Sequence, residues 1–282
     1  MKYCLPLFFL FVHISVFCQN KNDLPFIEHL INKGFYEEAI LQINNNQTEI
    51  SQSTHDSLFY FKGWADYSLK NLEESTQSLL QVTKASDFYL KSHFFAGYNQ
   101  IYLGSYDNAS QILHDIDVTA DPGISLVKLE LSGIEMLNGN WRGAETILKA
   151  INPEIATINE QVVALTQICR KQAERRAKSP FLAGLMSGII PGSGKIYAGK
   201  TGEGIASFIS NTGFGLITME NYRKLGIDHP KTILFGCIFI ANYVSNIYGS
   251  VISVKITENE YKNATHNQIL FQLHIPLRNF FE

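Results

Sequence analysis

The residues that come nearest to a chemical site are those of Gly188–Lys200, GIIPGSGKIYAGK. A loop that cradles phosphate reads G-x-x-x-x-G-K-[ST] and lies between a strand and a helix. Counting back from Gly194-Lys195, the required first glycine falls on Ile189, and the residue after the lysine is Ile196, which has no hydroxyl for a magnesium ion. The preceding stretch, Ala183–Ile190, reads as an apolar helix with small residues rather than a β-branched strand. The stretch is therefore not read as a nucleotide site. Ser193 is no better placed as a nucleophile, because G-x-S-x-G needs glycines where Pro191 and Lys195 stand. His29, His55, His93, His114, His229, His266 and His274 are scattered singly, without H-E-x-x-H or a cysteine neighbour. The acidic pairs Glu37-Glu38 and Glu73-Glu74 open helices, where they complement the helix dipole. No catalytic residue, metal ligand or cofactor is assigned, and a non-enzymatic protein is expected.

The 282 residues are 45% hydrophobic and 17% charged, enough apolar material for a packed core. A formal charge of -3 gives no general attraction to nucleic acid. Residues 1–18 read as a signal peptide. Lys2 is followed by the apolar stretch Leu5–Phe17, and Val16 and Cys18 stand before a cut at Gln19. A lipoprotein signal modified at Cys18 and an uncleaved anchor are the alternatives. Each places the following domain across the inner membrane of a bacterium. After cleavage only Cys169 and Cys237 remain, with no disulfide framework or metal spacing.

Elements of two kinds must organise this chain. In the first half GFYEEAI, NLEESTQ, SYDNASQ and NWRGAET align on a small residue, Ala39, Ser75, Ala109 or Ala144, at separations of 36, 34 and 35 residues. Three positions earlier stands a large residue: Tyr36, Leu72, Tyr106 or Trp141. Helices are expected over Leu24–Lys33, Ser57–Leu69, Tyr89–Leu103 and Ile124–Leu137, each followed by one that starts at the aligned motif. The spacing resembles the tetratricopeptide repeat, a helix-turn-helix unit of 34 residues. A non-repetitive helical bundle is the alternative. The resemblance implies a helical solenoid over residues 19–178 that presents a concave surface to a protein or peptide partner. Asn99 and Tyr102 are the binding residues it suggests. A longer helix, Glu154–Lys178, carries Ile155, Ile158, Val162, Leu165 and Ile168 on one face and ends in a basic run. That run suits both a helix C-terminus and anionic headgroups.

The second half, 179–255, is rich in glycine. Gly184, Gly188 and Gly192 are spaced by four, a pattern that lets another backbone approach a helix face. Pro191 then limits the helix, and Gly192–Gly194 permits a turn. Apolar segments follow over Gly204–Met219 and Thr232–Val254. Pro191, Gly192, Gly194, Tyr197 and Gly199 match P-G-x-G-x-x-Y-x-G, so the segment resembles a hairpin module of small bacterial membrane proteins. That resemblance implies closely packed helices in or on a membrane and possible contact with another membrane subunit. Only Thr232–Val254 is long enough to cross a bilayer alone. A re-entrant first hairpin shielded by it is the expected arrangement, with a soluble small-residue domain as the alternative. The tail, 256–282, reads as helix or short strand, with Pro276 limiting any strand to an edge. The expectation is thus an all-α, tetratricopeptide-like helical hairpin solenoid followed by a glycine-rich helical membrane module. It would serve as an exported adaptor with its repeats in the periplasm. The alternative function is a membrane assembly factor or small pore in which the C-terminal hairpins do the work.

Overall fold

A computed structural model describes residues 24–45 and 51–281. The signal-peptide reading and Cys18 lie outside the described residues. Among the described residues the fold is all-α: thirteen helices and no strand. The chain divides into two compact units between Thr119 and Ala120.

The first unit contains three helical hairpins. They are α1 (Leu24–Lys33) with α2 (Tyr36–Asn45), α3 (Gln52–Ser68) with α4 (Leu72–Leu79), and α5 (Tyr89–Tyr102) with α6 (Tyr106–Asp115). Helix α3 starts five residues before the expected Ser57 because the Ser51 hydroxyl caps it, accepting from the Thr54 N–H at 3.3 Å. The second unit opens with a like hairpin, α7 (Gly123–Leu137) and α8 (Trp141–Lys149).

All four hairpins turn the same way. A single residue with positive φ ends each first helix: Gly34, Lys70, Gly104 and Gly139, at 79°, 69°, 78° and 81°. The next N–H reaches back five residues to close the turn, as Phe35 to the Leu30 carbonyl and Ser105 to the Gln100 carbonyl do, both at 2.9 Å. The left-handed residues are 36, 34 and 35 apart, the same separations as the small residues that come after them. Ala39, Ser75, Ala109 and Ala144 are all fully buried. Where the paired helix supplies a glycine the approach is closest. A Cβ on Gly63 would stand 2.6 Å from Leu79 Cγ, and one on Gly97 would stand 2.9 Å from Leu113 Cδ2. Ser75 Oγ also donates to the Gly63 carbonyl at 2.7 Å.

The rest of the second unit is α9 (Ala156–Glu174), α10 (Pro180–Ile189), α11 (Ser193–Ala198), α12 (Thr201–Leu225) and α13 (Pro230–Phe281). Helix α9 buries Ile158, Gln161, Leu165 and Cys169. It ends four residues before the expected Lys178, where Arg175 leaves in extended conformation. The Arg175 guanidinium donates to Glu258 Oε2 at 2.6 Å and lies 3.7 Å from the centre of the Tyr261 ring. The Lys178 N–H donates to Glu258 Oε1 at 3.1 Å. One carboxylate thus fixes the linker to α13. Burial alone would raise the Glu258 pKa, but these partners hold it below the usual carboxylate value.

The 256–282 segment is no separate tail. It continues α13, and Ile269, Leu270, Leu273 and Leu277 on it are buried. Helix α13 packs on α7 and α9, and Leu273 fills the space beside Gly133 that any side chain there would need. For this reason the boundary expected after residue 178 is not where the compact units separate. Pro276 sits inside the helix, where packing of the leucines around it offsets its missing hydrogen bond.

Two predictions test this architecture by unfolding followed with circular dichroism. A Cβ on Gly104 would meet nothing within 4 Å, so Gly104→Ala should cost about 1 kcal/mol through backbone strain alone. Lys70→Gly should relieve strain of the same kind and gain up to about 1 kcal/mol, reduced by loss of the Lys70 Nζ contact with the Tyr67 ring at 5.2 Å.

The second prediction concerns Asp56, which is buried in α3. It accepts from Thr83 N at 3.1 Å, Thr83 Oγ1 at 2.7 Å and Gln52 Nε2 at 3.1 Å. Desolvation raises its pKa, and these bonds, aided by His55, bring it below the ordinary value. Its contribution is therefore present above the ordinary carboxylate pKa and lost as pH falls through the lower folded-state value. Asp56→Asn should cost roughly 1–3 kcal/mol at neutral pH and flatten the fall in unfolding midpoint across that acid window.

Candidate functional site: the glycine break and its polar seam

The motif Pro191–Gly199 lies at a break between two helices. Helix α10 starts on Ser179, whose Oγ accepts from the Leu182 N–H at 3.3 Å, with Pro180 at its first position. It ends at Ile189, because Ile190 is extended and Pro191 cannot donate to the helix behind it. Gly192 then adopts φ 84° and α11 begins. Gly199 closes α11 with φ 97°. The Ser179 N–H donates to the Tyr197 hydroxyl at 3.0 Å, so the two ends of the α10–α11 hairpin lie side by side. The Tyr197 side chain packs against Ala183, Ala198 and Val254.

A helix break exposes backbone groups that need partners. Here α13 and α10 supply them. The Gly192 N–H donates to Asn246 Oδ1 at 2.9 Å, and Asn246 Nδ2 returns to the Ser187 carbonyl at 3.2 Å. The Gly194 N–H donates to Ser187 Oγ at 2.9 Å. The Tyr243 hydroxyl donates to the Gly188 carbonyl. Ser187 Oγ and Ser250 Oγ are 2.7 Å apart, and Ser250 Oγ donates to the Asn246 carbonyl at 2.8 Å. A hydroxyl has one hydrogen, and that of Ser250 is committed, so Ser187 must be the donor between them. The chain therefore runs one way: Gly194 N–H to Ser187, Ser187 to Ser250, Ser250 to the Asn246 carbonyl. Bonds in such a series polarise one another.

This geometry decides what the glycines do. In a phosphate loop the backbone N–H groups point at the anion. Here those of Gly192 and Gly194 are spent on Asn246 and Ser187, and Lys195 Nζ donates to Ser207 Oγ at 2.8 Å. A Cβ on Gly192 would fall on the Gly204 carbonyl oxygen, and one on Gly194 on the Ala183 carbonyl oxygen. Both clashes are with backbone, which cannot rotate away.

The four-residue spacing behaves differently from expectation. Gly184, Gly188 and Gly192 do not share one helix face, because α10 ends before Gly192. A Cβ on Gly184 would be 2.9 Å from Val251 Cγ2, whereas one on Gly188 would be 3.8 Å from Ile247 Cδ1, an ordinary contact. Of the two glycines within α10, only Gly184 therefore marks a close helix approach.

A polar seam continues between α12 and α13. Asn242 Nδ2 donates to Ser210 Oγ across the two helices at 2.6 Å, and within α12 Asn211, almost wholly buried, donates to the Ser207 carbonyl at 2.8 Å. Large apolar side chains face outward around it, including Phe181, Leu185 and Ile189 on α10, Ile209 and Leu216 on α12, and Ile240 and Val244 on α13. Asn242 and Asn246 stand as polar residues inside the apolar run Thr232–Val254, and sequence pattern did not single them out as a site, nor Ser187, Ser250 and Glu258. The available signal was that an amide inside such a run must find a partner.

Asn99 and Tyr102 do not share an exposed surface. Asn99 is fully buried and donates to Ser75 Oγ at 3.0 Å, joining α5 to α4; Tyr102 is 56% exposed. As placed, Asn99 serves helix packing and is not on a surface. Among the described residues no three His, Cys, Asp or Glu side chains are grouped to hold a metal ion.

Gly194→Ala should destabilise the second unit by roughly 3 kcal/mol or prevent its folding, since the inserted methyl meets backbone. Gly188→Ala should change stability by less than about 0.5 kcal/mol. Limited proteolysis and thermal unfolding of the two variants measure the contrast; equal damage would refute it. Comparison of the chain with family models, with curated proteins and with solved structures finds no match.

Proposed function

We propose that the protein is a non-enzymatic, membrane-held adaptor. Its tetratricopeptide-like hairpins engage a protein or peptide partner on the periplasmic side, and its glycine-rich module holds them at the bilayer. The observation that carries this reading is the inverted composition of α10–α13. Asn246, Ser250, Ser187 and Asn211 are buried, while isoleucine, leucine and phenylalanine face out. Water favours the opposite arrangement, and a lipid solvent favours this one.

Helix α13 contains the apolar run Thr232–Val254 and is the described helix long and apolar enough to cross a membrane. Helix α12 has 25 residues, about 37 Å at 1.5 Å each, and pairs with α13, which covers its polar face. Together they form an in-and-out hairpin. Opposite α13, Gly184 of α10 stands at Val251 and the break stands at Asn246. Asn246 is 9 residues from Lys255, where the apolar run has ended, or about 14 Å, so the α10–α11 hairpin enters about half of a ~30 Å core and returns.

This topology puts Arg223, Lys224 and Lys231 in or beside the turn between α12 and α13, on the cytoplasmic side, as the charge rule requires. The basic run at 170–178 stays on the exported side, with Arg175 neutralised by Glu258. The repeated hairpin turn supports the repeat assignment, because a common turn at a common spacing is what stacked units need.

Cys237 is exposed on α13. In native membranes it should resist a charged, water-soluble maleimide and react once sodium dodecyl sulfate unfolds the chain, as read on the tryptic peptide that contains it. The protein should also stay in the pellet after carbonate extraction. Rapid labelling of Cys237 without detergent, with release by carbonate, would assign the module to water instead.

A further inference from the structure

A groove of about 830 Å³ opens within the second unit. The α7–α8 turn, the end of α9 and the stretch of α13 just beyond its apolar run form its walls. Arg175, Lys255, Lys262 and His266 line it together with the aromatic rings of Trp141 and Tyr261. Lys255, Glu258 and Lys262 recur at three- and four-residue spacing and so share one face of α13.

Their charges do not balance. Glu258 is committed to Arg175 and to the Lys178 N–H. Among the described residues neither Lys255 nor Lys262 has an ion-pair partner. The Arg175 guanidinium is held in place by Glu258 on one side and the Tyr261 ring on the other. The wall is therefore two unpaired ammonium groups around a fixed guanidinium, beside aromatic rings that tolerate both apolar and wet surroundings. A phosphate-bearing anion matches the two unpaired lysines, since lysine meets phosphate as a point charge.

We propose that this groove binds a phosphate anion of the kind carried by a lipid headgroup. The source rests on the membrane reading above. Lys255 directly follows Val254, the last residue of the apolar run, so the groove would open at headgroup level. There each basic side chain adds attraction for anionic lipid, and aromatic residues are favoured.

Trp141 lines the groove, and the chain has two tryptophans, so a Trp64→Phe background makes its fluorescence a site reporter. The full chain is placed in nanodiscs of phosphatidylcholine and titrated in three arms: rising phosphatidylglycerol content, dissolved inorganic phosphate, and more phosphatidylcholine. Saturable change with phosphatidylglycerol alone is expected, weakened roughly tenfold or more by Lys255→Gln with Lys262→Gln. Both substitutions are at exposed positions and should leave folding intact. An equal response to inorganic phosphate would keep the anion site and assign it a soluble ligand. No saturation in either anionic arm, or identical curves for the double variant, overturns the proposal. If carbonate releases the protein while inorganic phosphate still titrates Trp141, the membrane reading fails and the anion site stands.

Discussion

The second unit depends on one requirement: the backbone groups freed where α10 stops at Pro191 must be satisfied from inside the protein. Asn246 answers both sides of the break, accepting from Gly192 and donating to the Ser187 carbonyl. Its burial would be costly without those bonds. With them, the cost becomes a reason for α13 to lie against α10 in one register. The serine pair extends the same logic, because the Ser187 hydroxyl accepts from Gly194 and donates to Ser250 at once. The glycines answer the same requirement. Donor and acceptor must come within hydrogen-bond reach across three chain segments, and a Cβ at Gly192 or Gly194 would hold the segments apart.

The hairpins of the first unit meet a related demand by other means. There no amide repairs a break. The turn repairs itself, through a left-handed residue and a bond spanning five residues. Two of the three turns use glycine, as does the like turn between α7 and α8, and Lys70 stands in the same conformation at some cost. Beyond each turn the second helix is equally uniform, with a fully buried small residue that brings it onto the first. Polar side chains then stitch one hairpin to the next: Asn99 to Ser75, and Gln100 to Thr76 at 3.3 Å. Hydrogen bonds that need a single register add specificity to apolar packing that could slip.

Much of this was legible from local pattern. The 36-, 34- and 35-residue separations located the hairpins, and Leu24–Lys33 and Tyr36 mark helix limits that the structure shares. Helix periodicity found α9, and apolar runs marked the middle of α12 and the apolar part of α13. Features that depend on distant partners escaped. Glu258 is 83 residues from Arg175, and no spacing rule connects them, yet they pair just where α9 ends. Asn246 is 54 residues from Gly192. The four-residue glycine spacing misled at its second step because Pro191 placed Gly192 beyond the helix. The tail reads from sequence as helix or short strand, and it is helix: buried leucines on both sides of Pro276 outweigh one missing backbone bond.

The pairing of Arg175 with Glu258 joins these two kinds of order. A linker between a repeat-like hairpin and a helix break could wander, and each conformer it visited would weaken the packing of α9 against α13. Instead the linker is clamped at Glu258 through a side chain and, three residues on, through a backbone N–H. The clamp sits where α13 passes from its apolar run to the stretch that packs on α7 and α9. One carboxylate thus marks the point on α13 where outward-facing apolar helix becomes protein-packed helix. It also removes one positive charge from a run that otherwise crowds several together. The desolvation of a carboxylate there is offset because its partners arrive from a single short segment, already ordered by the end of α9 and the start of α10. Replaced by a neutral amide, the same position would keep one acceptor oxygen and set an N–H against the other linker donor, so a bond and the charge balance would be lost together.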